Sequence, residues 1–148
     1  MTPIHGQHHL TVKASADDVW QAMRNYGDLS WTEGIEEVVV EGEGVGMLRK
    51  VRLSGAGEWI LERLTARDDA SRTFSYAIEG DGMPGFSNYS AHVRAEPADQ
   101  GCIIHWECRA DAQDDAVEAM QPMVQALAEG ISGLFAAQFN NNSDVDHE

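Results

Sequence analysis

Four side chains in four neighbouring predicted strands could contribute chemistry. Arg49 lies in the alternating stretch MLRKVRL, and the strand that follows contains Glu62. Two tyrosines, Tyr76 and Tyr89, come in the next two strands. A buried guanidinium can stabilise negative charge that develops on an oxygen, and a carboxylate or phenol can move a proton or bind a polar ligand group. Whether these residues act together depends on the face that each one occupies.

Side chains alternate between the two faces of a strand, so apolar neighbours indicate the inward set. Arg49 shares its face with Met47, Val51 and Leu53, which favours an inward arginine. The inward sets predicted for three later strands are Phe74, Tyr76 and Ile78; Tyr89, Ala91 and Val93; and Cys102, Ile104, Trp106, Cys108 and Ala110. In GEWILERL, periodicity does not decide between the face of Glu62 and the face of Trp59.

The elements that hold these residues follow from periodicity and turn signals. HHLTVKA alternates like a strand, Ser15 begins a helix that runs to about Asn25, and DLSWTEGI could form a second short helix. Six more strands follow at a spacing of about twelve residues, and DDAVEAM to AAQFN repeats apolar residues at helical spacing. The order predicts an α+β fold: a curved seven-stranded antiparallel sheet wrapped around a long C-terminal helix, with two short helices after the first strand.

Two tryptophans, Trp20 and Trp31, lie eleven residues apart near the start of the chain. Trp20 is predicted to pack the first helix under the sheet. Trp31 is predicted to anchor the second short helix, with contact to a ligand at the base of a cavity as the alternative. In the long helix, Gly130 and Gly133 indicate close packing against the sheet or a second subunit, or room for another molecule.

Composition limits the class of protein and its partners. The length of 148 residues predicts one domain over residues 1–140, with a frayed tail over 141–148. Ten basic against 25 acidic residues give a formal charge of −15, which argues against binding to nucleic acid. No apolar run reaches the roughly 18 residues of a membrane span, and the N-terminus lacks a secretion signal. Cys102 and Cys108 are too far apart along one strand for a disulfide, so free thiols and a cytoplasmic location are predicted.

Several kinds of chemistry have no pattern to support them. GEGVG precedes a strand and not a helix, so a phosphate-binding loop is not indicated. No histidines and cysteines have the spacing of metal ligands, and Cys108 has no inward histidine that could activate it. The sequence therefore predicts no cofactor and no metal.

Several short motifs, taken together in their order and spacing, carry a family resemblance. They are ADDVWQAM with the later Trp31, GVG around Val45, ERL at Glu62–Leu64, FSYAI at Phe74–Ile78, NYS at Asn88–Ser90, and the closing helix. Over about residues 5 to 140 the chain resembles the START/SRPBCC superfamily of birch-pollen-allergen-like proteins. It is most similar to the bacterial polyketide cyclase/dehydrase branch and is also similar to the plant abscisic-acid receptors. The resemblance implies the helix-grip fold, and it implies an inward Glu62 because the matching glutamate lines the receptors' pocket.

Two functional hypotheses follow. The first is a monomeric or homodimeric protein that binds a small hydrophobic molecule between the sheet and the C-terminal helix. The predicted ligand-binding residues are Arg49, Val51, Glu62, Tyr76, Ile78, Met83, Tyr89 and Trp106, with Met83 in a DGMPG loop at the mouth. The alternative is a cyclase/dehydrase-like enzyme in which Arg49 stabilises an enolate and Glu62 or a tyrosine moves a proton. In either case, Arg49 and Glu62 could form a structural ion pair or a ligand anchor.

Overall fold

The fold is a seven-stranded antiparallel sheet that curves around one long helix. The computed structural model describes residues 1–55, 58–80 and 85–146, and the side chains as far as residue 139. The elements are β1 (Thr2–Val12), α1 (Ala16–Arg24), β2 (Ile35–Glu41), β3 (Leu48–Leu53), β4 (Trp59–Asp68), β5 (Thr73–Glu79), β6 (Phe86–Ala98), β7 (Gly101–Ala112), a 3₁₀ turn (Asp114–Ala116) and α2 (Val117–Asp146). The strand order β1-β7-β6-β5-β4-β3-β2 confirms the predicted helix-grip arrangement.

The first helix begins as predicted, but the second short helix is absent. Ser15 Oγ accepts a hydrogen bond from the Asp18 amide at 3.1 Å and so caps the N-terminus of α1. Residues 26–34 form turns in place of a helix. The Asp28 carboxylate accepts a hydrogen bond from the Ser30 amide at 2.9 Å, and this local contact competes with helical hydrogen bonding. Gly34, at φ 80°, then leads the chain into β2.

The core lies between the concave face of the sheet and the two helices. Trp20 is 4% exposed, its ring centroid lies 6.4 Å from that of Phe74, and its Nε1 donates to Asp69 Oδ1 at 2.9 Å. The inward residues predicted for β7, from Cys102 to Ala110, are all buried. Both cysteines are free thiols. The strand-face prediction is therefore confirmed along β7, which lies between β1 and β6 in the sheet.

The long helix α2 crosses the edge strand β1 at very close range. The Gln125 side chain donates to the Gln7 carbonyl at 2.9 Å and accepts from the Gln7 amide at 3.0 Å, so it occupies the exposed edge of β1. A Cβ on Gly6 would lie 2.5 Å from Gln125 Cα, so only glycine allows this approach. A Cβ on Gly130 or Gly133 would meet no described atom within 4 Å, so packing against the sheet does not explain these two glycines.

Candidate functional site

A cavity of about 240 Å³ lies between the concave face of the sheet, the turns of residues 25–35 and one side of α2. Seven of the eight predicted site residues line it: Arg49, Val51, Glu62, Tyr76, Ile78, Tyr89 and Trp106. The eighth, Met83, and the core of its predicted loop lie outside the described residues. The structure thus brings seven residues from five strands to one wall, while their role in binding stays a prediction.

Strand register explains why these side chains meet. Arg49 of β3 is the direct partner of Glu62 of β4, and Glu62 is in turn the partner of Ile78 of β5. Residues opposite each other in an antiparallel pair present their side chains on the same face. Glu62 faces the cavity and Trp59 is 41% exposed, so the face that periodicity left open in β4 is now assigned.

A β-bulge sets the position of Tyr89. The register of β6 against β7 shifts between Ser87 and Ser90, and Asn88 takes a positive φ of 55°. The Asn88 side chain donates to Asp111 Oδ2 at 2.8 Å and secures the bulge. Phe86 and Tyr89 are both buried although they are three positions apart, because the extra residue lets both point inward.

Arg49 and Glu62 form an ion pair at the polar end of the cavity. Arg49 Nε donates to Glu62 Oε1 at 2.8 Å, and Nη2 lies 2.6 Å from the same oxygen. The two side chains are 8% and 16% exposed. Burial alone would lower the pKa of Arg49, but the Glu62 carboxylate together with Tyr26 and Tyr76 outweighs burial and raises that pKa above the usual value. Arg49 therefore stays charged.

Tyr26 completes the environment of Arg49, and the sequence reasoning missed it. Its carbonyl accepts from Arg49 Nη1 at 2.7 Å, and its ring centroid lies 3.9 Å from the guanidinium carbon. Tyr26 follows the end of α1, where no strand periodicity applies, so nothing in the local pattern indicated that it would face Arg49. A buried arginine's need for several partners was the only available signal.

The phenols around the cavity are buried and retain their protons. Burial raises the pKa values of Tyr26, Tyr76 and Tyr89 above the usual range. The Tyr89 hydroxyl donates to Cys108 Sγ at 2.9 Å, and burial raises the pKa of that thiol to about 11. At neutral pH these groups can donate hydrogen bonds, but they are poor bases.

The opposite wall comes from the turns after α1 and from α2. Trp31 packs edge-on against Phe135 of α2, with ring centroids 5.2 Å apart, and lies 6.4 Å from the Trp106 ring. Its Nε1 donates to the Asp28 carbonyl at 3.0 Å. Trp31 is thus part of the cavity wall. Leu127 and Ile131 of α2 also line the cavity. Helical periodicity had placed them on the apolar face of the helix but had not assigned them to a cavity.

Neither a metal-binding cluster nor a membrane-spanning helix is present among the described residues. No group of three or more histidine, cysteine or acidic side chains is placed to hold a metal ion in the part of the chain that the structure describes. Within the same residues, no helix has both the length and the apolar character needed to cross a membrane.

Comparison with solved structures shows the same fold in several proteins. Norcoclaurine synthase from Thalictrum flavum superposes with a TM-score of 0.79 at 18% identity, covering 96% of this chain and 97% of that one. A Nitrosospira multiformis protein gives a TM-score of 0.74 at 24% identity, covering 95% and 99%. A Thermobifida fusca protein gives 0.77 at 20% identity, covering 93% of each chain. At these identities the likeness establishes the fold alone.

The comparison of sequences goes further. No curated protein gives a significant match. Residues 3–141 match the family described as "Polyketide cyclase / dehydrase and lipid transport", which spans nearly the whole chain. The predicted relation to the plant abscisic-acid receptors stays a prediction. The chain belongs to the polyketide cyclase/dehydrase and lipid transport family, within the SRPBCC, birch-pollen-allergen-like superfamily.

Proposed function

We propose that this protein binds a small hydrophobic molecule in the cavity between the sheet and α2. The observation that carries the proposal is a 240 Å³ space with mainly apolar and aromatic walls and one buried ion pair at its end. Ligand sites commonly combine apolar walls with a few placed polar groups. The family description, which includes lipid transport, supports the same reading.

The cavity's volume indicates the size of the ligand. An engineered cavity of roughly 150 Å³ in another protein holds benzene. On that scale, 240 Å³ suits a molecule of one or two rings, or a short branched chain. A norcoclaurine synthase of this fold was solved with dopamine and hydroxybenzaldehyde, which are single-ring molecules, so the fold can hold ligands of this size.

Binding is favoured over the alternative of a cyclase/dehydrase-like enzyme. In the enzyme hypothesis Arg49 stabilises an enolate, but its Nε and Nη2 are directed to Glu62 and its Nη1 to the Tyr26 carbonyl. The tyrosines around the cavity have raised pKa values and would be poor proton acceptors, so of the groups named in that hypothesis only Glu62 could accept a proton. A cytoplasmic location and a monomeric or homodimeric state accompany the proposal as predictions from the sequence.

The test is binding of 1-naphthylamine, a neutral two-ring dye whose emission shifts to shorter wavelength in apolar sites. We expect saturable binding by the native protein, and none by Ile78→Trp, in which an indole would fill the cavity. The matched control is Val45→Trp at an exposed position outside the cavity, 58% exposed, which should bind the dye like the native protein. Circular dichroism would verify that both variants fold. Undiminished binding by folded Ile78→Trp would refute the proposal.

A further inference from the structure

The cationic group at the polar end of the cavity already has a charged partner, and three of its five N–H groups are engaged. Arg49 directs Nε and Nη2 to Glu62 Oε1 and Nη1 to the Tyr26 carbonyl, and its flat face lies over the Tyr26 ring. A carboxylate on a ligand would either share Arg49 with Glu62, at the cost of repulsion between the two anions, or displace Glu62 from Arg49. That displacement would leave the Glu62 charge, only 16% exposed, without its partner, which is costly. Arg49 is therefore a poor anchor for an anion.

Glu62, in contrast, retains an unused acceptor. Both contacts with Arg49 go to Oε1, and Oε2 accepts no hydrogen bond from the described residues. The side chain lines the cavity, so Oε2 is available to a ligand there. Hydrogen bonds to a carboxylate are shorter and stronger than those between neutral groups. At the polar end of the cavity, Glu62 Oε1 is therefore engaged by Arg49, whereas Glu62 Oε2 is open to a hydrogen-bond donor on a ligand.

The charges around the cavity also disfavour an anionic ligand. Among the described residues, the cavity is lined by one cationic side chain, Arg49, and by three acidic ones, Asp28, Glu33 and Glu62. Hydrogen bonds from Ser30 lower the pKa of Asp28, which keeps that carboxylate ionised. The protein as a whole carries a formal charge of −15. A field of this sign favours cationic and neutral ligands over anionic ones.

We infer that the cavity selects a small apolar molecule that carries a hydrogen-bond donor, a hydroxyl or a protonated amine, which donates to Glu62 Oε2. Carboxylate-bearing molecules of the same size are discriminated against. The inference rests on the proposed function and adds the ligand class to it. It also changes the role predicted for the pair: Arg49 holds Glu62 in place, and Glu62 makes the contact.

Four probes with one phenyl ring separate the possibilities: ethylbenzene, 2-phenylethanol, 2-phenylethylamine and 3-phenylpropionate. Their affinities are measured by displacement of the naphthylamine dye. We expect the alcohol or the amine to bind about tenfold or more tightly than the carboxylate, a difference of about 1.4 kcal/mol. A preference for the amine over the alcohol would identify the donor as a cation, and a preference for the alcohol would identify a neutral hydroxyl.

Glu62→Gln provides the decisive variant. It removes the charge at nearly constant size and releases Arg49, so amine affinity should fall about tenfold while carboxylate affinity rises. The matched control is Glu79→Gln, because Glu79 of β5 forms an ion pair with Arg63 of β4 on the exposed side of the sheet, at 2.9 Å. Glu79→Gln removes the same charge outside the cavity and should leave the order of the probes unchanged.

The outcomes are distinct. If even ethylbenzene and the dye fail to bind, the proposed function falls and this inference falls with it. If ethylbenzene binds but the carboxylate binds as tightly as the alcohol and the amine, only the inference is overturned, whether or not Glu62→Gln folds. Equal shifts in Glu62→Gln and Glu79→Gln would also overturn it, since overall charge would then explain the selectivity.

Discussion

Replacing Arg49 by methionine should destabilise the protein strongly. Methionine is an apolar side chain of similar length to arginine. Its introduction leaves the Glu62 carboxylate, which is 16% exposed, without its partner. Breaking a buried ion pair by removing one partner typically costs about 3–5 kcal/mol. Glu62 also borders the cavity, where water can approach its free oxygen, so we expect about 3 kcal/mol. The loss includes the hydrogen bond from Arg49 to the buried Tyr26 carbonyl.

The assay is urea unfolding followed by circular dichroism, with the free energy of unfolding extrapolated to water. Arg49→Met combined with Glu62→Leu should recover most of the lost stability, because no unpaired charge remains. Arg63→Met is the matched control. It breaks the exposed pair with Glu79 and should cause a much smaller loss, since solvent screens that pair. A loss below about 1 kcal/mol for Arg49→Met, or one equal to that of Arg63→Met, would refute the reasoning.

Three further predictions concern the helices and a buried thiol. Gly6→Ala should lower the melting temperature because the new Cβ would lie 2.5 Å from Gln125 Cα, whereas Gly130→Ala meets no described atom and should stabilise α2 by about 1 kcal/mol. Trp20→Ala should cost about 3–5 kcal/mol in urea unfolding, and a loss under about 1 kcal/mol would remove α1 from the core. Cys108 has its pKa raised from 9.0 to about 11, so its contribution to stability is complete below pH 9 and is lost as pH rises through 11. The alkaline loss should therefore be smaller in Cys108→Ala, and an unchanged pH profile would contradict the burial of the thiol.

The sequence by itself determined the architecture and most of one cavity wall. Alternating apolar residues report which face of a strand is buried, and this local signal placed Tyr76, Tyr89 and Trp106 inward. Helical spacing and the Ser15 cap likewise predicted α1 and α2. Burial follows the two-residue or 3.6-residue period of a single element, so a linear pattern is sufficient to read it.

The tertiary structure alone decided how these elements meet. The partnership of Arg49 with Glu62 depends on the register of β3 against β4, and the role of Tyr26 depends on where the chain passes after α1. The bulge at Asn88, held by a hydrogen bond to Asp111 of the neighbouring strand, brought Phe86 inward against the alternating pattern. Each of these features arises from contacts with other parts of the chain or from a break in periodicity. A repeating pattern carries no information about either, because the energy that selects them comes from partners that come together only when the chain has folded.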